Sequence, residues 1–141
     1  MGGHFVQGHV DAVATVTDRR ADGNAVTMRF APAVGVDGGD PAAVLKYVVR
    51  KGYVALDGTS LTVTQVNDAE GWWEVMLIVY TQERVVLAQK QVGDSVNVEV
   101  DVLAKYAEKS MAGYISSLGA AGNLEKIVQG IVAQGLGPKS Q

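Results

Sequence analysis

The sequence predicts an all-β fold: a small antiparallel barrel of six strands, closed or nearly closed, followed by a helical tail. Three observations carry this. Six short segments are β-branched or alternate apolar with polar residues; Asp-Gly and Gly-Asp signals stand between them; and from Val102 the apolar spacing becomes helical.

Val10–Val16 is β-branched and ends in the polar stretch Asp18–Asn24, which contains Asp22-Gly23. Ala25–Phe30 alternates and pairs with it as a hairpin. Pro32–Pro41, with three glycines and two aspartates, reads as an exposed loop. Ala42–Val49 suits a short helix, with Asp40 as N-cap and Pro41 at the first helical position. Tyr53–Leu56, Ser60–Val66, Trp72–Tyr80 and Ser95–Asp101 give four more strands, linked by Asp57-Gly58, by Asp68–Gly71, and by a short helix within Thr81–Lys90. Leu103, Tyr106, Ala107, Met111, Tyr114 and Ile115 then recur at helical spacing. Gly119–Gly122 breaks that helix, and Leu124, Ile127, Val128, Ile131 and Val132 form a second, narrow apolar stripe. The expected division is a barrel over 1–101 and a helical tail over 102–141.

Composition removes several function classes. The chain has 141 residues, 48% of them hydrophobic, enough to bury a core without staples. It holds no cysteine, which rules out disulfides, thiolate zinc sites and a cysteine nucleophile. His4 and His9 are the only histidines, too few for a histidine cage, so no metal is expected. Net charge is −3 with no basic run, which argues against nucleic acid as a partner. No apolar stretch approaches a membrane span and no leader precedes the barrel, so the expectation is a soluble, cytoplasmic protein.

Three segments could carry chemistry. Gly2–Asp11 sets glycines beside His4 and His9, which reads either as a flexible start to a strand or as backbone that approaches a planar ligand closely. Lys51–Thr64 contains Ser60, Thr62 and Thr64 alternating with Leu61 and Val63, giving one hydroxyl-lined face. Hydroxyls donate and accept, which suits a polyol or a heterocycle edge, although threonine favours strands in any case. Asp101 ends the alternating run from Val96 and serves either as a helix cap or as a base. Trp72-Trp73 reads as packing and rim cover, and Glu70, Glu74 and Glu83 as surface charge. Phosphate-loop, nucleophile-elbow and His-Glu-x-x-His signatures are absent.

Taken together and in order, Gly2–Asp11, Lys51–Val63 and Val92–Asp101 resemble the second half of riboflavin synthase, a family whose chain is two similar six-stranded barrels in tandem. Glu70–Leu77 resembles the fungal members. The resemblance runs from Gly2 to about Tyr106 and implies a six-stranded antiparallel Greek-key barrel of the lumazine-binding type. It implies an enzyme that dismutates two molecules of 6,7-dimethyl-8-ribityllumazine into riboflavin and a pyrimidinedione, with neither cofactor nor metal. Implied substrate contacts are Gly8, His9, Val10, Lys51, Ser60, Leu61, Thr62, Met76, Leu77, Ile78 and Thr81, with His4, His9 and Asp101 near the reacting pair. Ile78–Glu83 departs from the family's Pro-, Glu- and Thr-rich segment at this place. The first barrel has no counterpart in these 141 residues. The implied partners are therefore the lumazine or riboflavin, an N-terminal barrel of an intact synthase, and further copies in a dimer or trimer. A single barrel is expected to be weakly active or inactive. The alternatives are a non-catalytic flavin- or lumazine-binding module and an oligomerisation domain with a vestigial site.

Overall fold

The computed structural model describes residues 2–118, 126 and 129–131. Strands β1 (Ala12–Asp22) and β2 (Ala25–Gly35) form a long hairpin whose turn places Gly23 at φ 61°, in the left-handed region. Then follow β3 (Tyr53–Leu56), β4 (Thr59–Asn67), β5 (Trp72–Leu77) and β6 (Ser95–Val100). The strands close in the order β1-β2-β5-β4-β3-β6 and every neighbouring pair is antiparallel. Strand β2 leaves the first hairpin and returns beside β5, the end of the β3-β4-β5 meander, as a Greek key requires.

Alternation sends one set of side chains inward, and that set fills the barrel. Phe30 and Trp73 stack at its centre with ring centroids 5.9 Å apart. Met28, Val54, Leu56, Val63, Val75, Leu77 and Val98 surround them, fully buried. Leu87 and Ala88, from a 3-10 helix over Val86–Gln89, close one part of the core. Arg19 reaches from β1 to hold that helix, donating to the carbonyls of Ala88 and Lys90 at 3.0 and 3.1 Å.

Several local expectations change. Strand β1 begins at Ala12 rather than Val10, and the ladder runs on through Asp18–Asp22 because backbone pairing tolerates polar side chains that face water. The predicted helix at Ala42–Val49 is a 3-10 helix over Pro41–Tyr47; Asp40 caps it as expected, accepting from the Ala42 N–H at 2.9 Å. Strand β5 stops at Leu77. Beyond it, one helical turn, α1 (Val79–Gln82), and the 3-10 turn replace the end of the predicted strand and the Thr81–Lys90 helix. Its Gln82 side chain donates to the Leu77 carbonyl at 2.8 Å, which closes the strand end on itself.

Helix α2 spans Val102–Ser117. Residues to Ala104 belong to one compact unit and the described residues from Lys105 to a second. Gly119–Gly122, Leu124, Ile127, Val128 and Val132 lie outside the described residues. Among those described, no helix is long and apolar enough to cross a membrane.

Glu74 is not surface charge. It is 2% exposed, and its carboxylate accepts from Arg20 Nη1 and Nη2 and from Arg29 Nε and Nη2 at 2.8–3.0 Å. Arg29 in turn lies 3.7 Å over the Trp72 ring. Chiefly through the Arg20 hydrogen bonds, Glu74 titrates below its ordinary 4.5, against an opposing push from burial. A lowered folded-state pKa means the carboxylate stabilises the fold fully above that ordinary value and ceases to as pH falls through the folded value. Glu74→Ala is therefore expected to lower unfolding free energy by about 1.5–3 kcal/mol in urea titration at neutral pH, the range for hydrogen bonds to a charged group. Glu74→Gln should flatten the fall in stability expected of the unaltered chain below pH 4.5.

Candidate functional site

Closure leaves the outward side chains in registered bands. On β4, Leu61 and Val63 face the core while Thr62 and Thr64 are exposed and Ser60 is half-buried. Val63 pairs with Val75, so Thr62 falls beside Met76 of β5. Across β3, Tyr53 pairs with Thr62 and Ala55 with Ser60; Ala55 also pairs with Glu99 of β6. One band therefore runs Tyr53–Thr62–Met76, and a second, parallel to it, runs Glu99–Ala55–Ser60.

The arm over Gly2–Asp11 crosses these bands. The His4 N–H donates to Ser60 Oγ at 3.2 Å, and Nδ1 of the same ring lies 2.6 Å from that oxygen. The hydroxyl can give its proton to Nδ1 or accept one from it, since its oxygen has a second lone pair beside the one the backbone N–H uses. The other ring nitrogen, Nε2, is buried without a hydrogen-bond partner, a polar atom that a ligand group could satisfy. The His4 ring also stacks on Tyr53, with centroids 5.1 Å apart and planes 15° apart. Further along, the Gln7 and His9 N–H groups donate to Glu99. The arm ends where the Asp11 N–H donates to the Val98 carbonyl at 2.7 Å and Asp11 Oδ2 accepts from the Val100 N–H at 2.9 Å.

The other expected site residues divide into three groups. Met76 and Ile78 are exposed and, with Val79, Tyr80, Ala25 and Asn24, line an apolar groove of about 530 Å³ at the end of β5. Gly8 and Val10 line a smaller hollow of about 250 Å³ with Val6, Ala55, Asp57 and Glu99. Lys51 is exposed and sits at φ 68°, fixed beside β4 by its N–H, which donates to the Val63 carbonyl at 2.8 Å. Leu61 and Leu77 are buried in the barrel core, so only their backbone is available to a ligand. Thr81 lies half-buried in α1 and does not line the groove. The His9 ring is exposed while its backbone is bound. Asp101 caps α2: its Oδ1 accepts from the Leu103 N–H at 3.1 Å.

Tyr53, Ala55 and Glu99 belong to this surface and were not singled out from the sequence. The alternation that drew attention to Asp101 also places Asn97 and Glu99 on the outward face of β6, so the signal was present. What it lacked was the arm, whose path no periodicity encodes.

Comparison with known proteins identifies the family and the fold. Residues 7–101 match the family described as the lumazine binding domain. The chain is 53% identical over 116 residues to riboflavin synthase of Schizosaccharomyces pombe, covering 82% of this chain and 51% of that protein. It is 47% identical over 111 residues to riboflavin synthase of Meyerozyma guilliermondii, covering 79% and 44%. The chain thus spans about half the length of the curated relatives it matches. Among solved structures, LumP complexed with 6,7-dimethyl-8-(1'-D-ribityl) lumazine superposes with a TM-score of 0.56 and 17% identity, over 68% of this chain and 48% of that one. LumP complexed with riboflavin gives 0.54 and 16%, over 64% and 44%. At these identities the likeness is one of fold.

Ser60 is the barrel's hold on His4. Ser60→Ala should leave Nδ1 and the His4 N–H without their partner and weaken arm docking by about 0.5–1.5 kcal/mol for each of the two neutral hydrogen bonds lost. Faster hydrogen exchange at the His4 amide, with barrel amides unchanged, is the expected readout.

Proposed function

The chain belongs to the lumazine-binding domain family, and we propose that it forms one half-site of a riboflavin synthase, holding a single 6,7-dimethyl-8-ribityllumazine or riboflavin on the outer face of β4 and β5. One observation supports this above the rest: an exposed hydroxyl, Thr62, stands in register beside Met76, which opens the apolar groove continued by Ile78. A flat heterocycle with a polyhydroxyl tail needs that pairing of an apolar bed with nearby groups that donate and accept.

On this reading Met76 and Ile78 bed the ring, Ser60 and Thr62 meet polar edges, and Leu61, Leu77 and Thr81 contribute through backbone or as neighbours. Lys51 supplies a cation at the rim. Gly8, His9 and Val10 border the ligand from the arm. His4 offers its unpartnered Nε2 to the ring, and Asp101 helps polarise the reacting pair from the mouth of α2. The reaction transfers a four-carbon unit between two lumazines after a proton leaves the C7 methyl of one. Its rate rests on stacking two rings in register, an entropic and orientational contribution worth on the order of 7–11 kcal/mol. The second ring and its contacts belong to an N-terminal barrel of an intact synthase.

The barrel over 1–101 is the ligand-binding part and 102–141 an oligomerisation element, with dimers or trimers formed through exposed apolar residues such as Leu103, Tyr106, Met111 and Tyr114. A cytoplasmic location fits the chemistry. A second reading, a non-catalytic carrier of flavin or lumazine, is favoured by the complete ligand face on one barrel.

Riboflavin or the ribityllumazine should bind saturably with one ligand per chain in a fluorescence titration; no saturable change at high micromolar ligand would overturn the reading. Thr62→Ala should weaken binding by about 0.5–1.5 kcal/mol. In steady-state assays the chain alone should form riboflavin far more slowly than a two-barrel synthase. Rates within tenfold of each other would show that one barrel suffices.

A further inference from the structure

We propose that Glu99 is a positioning residue for this site: its buried carboxylate straps the Gly2–Asp11 arm across β3 and so holds His4 against Ser60. The inference rests on the reading of the ligand face given above.

Glu99 projects outward from β6, yet it is only 8% exposed, because the arm covers it. Its two oxygens are shared out along the arm, Oε1 accepting from the Gln7 N–H at 2.8 Å and Oε2 from the His9 N–H. In an extended chain, N–H groups two residues apart are about 6.6 Å from one another, wider than one carboxylate can span. The arm must therefore pinch between them. It does so at Gly8, whose φ of 81° is open to glycine and costly for other residues.

The crossing point is built for this. Glu99, Ala55 and Ser60 stand side by side on β6, β3 and β4. Ala55 is fully buried although it is not among the barrel's interior residues; Val6, Gly8 and Val10 line the hollow above it. A small side chain there lets the arm lie flat. The arm is thus tied at two places, Ser60 on β4 and Glu99 on β6, and neighbouring strands lie about 4.8 Å apart. Releasing the Glu99 tie leaves His4 on one hydroxyl and one ring stack at the far end of a glycine-rich segment, where a few neutral contacts have to offset the ordering of several residues. The carboxylate supplies what a hydroxyl does not, two charge-assisted bonds from one side chain.

The test uses the whole chain with two variants: Glu99→Gln, which puts an amide N–H against one of the arm's donors, and Gln7→Pro, which deletes a donor from the arm side and leaves the barrel sequence intact. In each, the His4 ring resonances, displaced by the Tyr53 ring, should move toward those of an unstructured histidine. Exchange at the His9 amide should quicken while the far-ultraviolet circular dichroism stays that of the barrel. Riboflavin binding should weaken about tenfold, the loss of one charge-assisted hydrogen bond from positioning. His4 resonances that stay put in both variants would overturn the proposal. So would His4 release with unchanged riboflavin affinity, which would make the strap purely structural. Failure of the unaltered chain to bind riboflavin overturns the ligand-face reading itself, and the proposal with it.

Discussion

Closure of six strands into one barrel decides where chemistry can happen. A barrel of this size has no room for anything but side chains, and Phe30, Trp73 and Met28 occupy its axis. Any ligand must therefore lie outside, on the face that alternation leaves outward. That face is fixed by register: a slip of one residue in β4 would bury Thr62 and expose Val63. The β4–β5 ladder carries an irregularity between Val63 and Gln65, just past Thr62. Beyond it Thr64 turns its hydroxyl to the Glu74 carbonyl at 3.1 Å, so the outward hydroxyl row ends there.

Two outward glutamates are buried on this surface, and the protein satisfies them differently. Glu74 takes a fork of guanidinium donors from Arg20 and Arg29, a cationic solution that ties β1, β2 and β5 together. Glu99 takes two backbone N–H groups from a segment outside the sheet. Removing the charge at Glu74 takes the shared partner from two arginines, leaving Arg20 with Asp18 and Arg29 with the Trp72 ring. Removing it at Glu99 frees a segment and leaves the sheet whole. One glutamate supports the fold and the other sets a position upon it.

Much of this was legible in the sequence. The six strands, the Asp40 cap, the Asp57-Gly58 turn and the outward face of Ser60, Thr62 and Thr64 follow from periodicity and turn chemistry, because those depend on residues near one another in the chain. The end of β5 was misjudged because Ile78, Val79 and Tyr80 are apolar enough to continue a strand; they leave it at the rim and line the groove instead. The resemblance implies ligand contacts at Leu61 and Leu77, while alternation sends their side chains into the core and leaves their backbone for such a contact. Glu74 looked solvated because nothing local announces a partner 45 or 54 residues away. Glu99 escaped notice for the same reason, at a separation of 90 residues or more. Long-range polar pairings are what a single sequence conceals.

The same constraint gives the physical reason, on the proposed reading, for one barrel making half a site. A groove on the outside of a sheet can touch only one face of a flat ring, and on the proposed reading Met76 and Ile78, which line the groove, would supply that contact. The opposite face of the ring stays open to whatever approaches. Dismutation needs a second ring on that open face, held by groups arranged differently from the first so that one lumazine gives and the other receives. Two copies of this chain related by a twofold axis would present the same groups to both rings, since such an interface is self-complementary. Donor and acceptor would then differ only through fluctuation. A second barrel of similar fold and different sequence removes that degeneracy while keeping the stacking distance, which is the physical case for pairing unlike barrels. On the proposed reading, what this chain would supply to such a pair is a fixed bed, a hydroxyl row and an imidazole held in place by its arm.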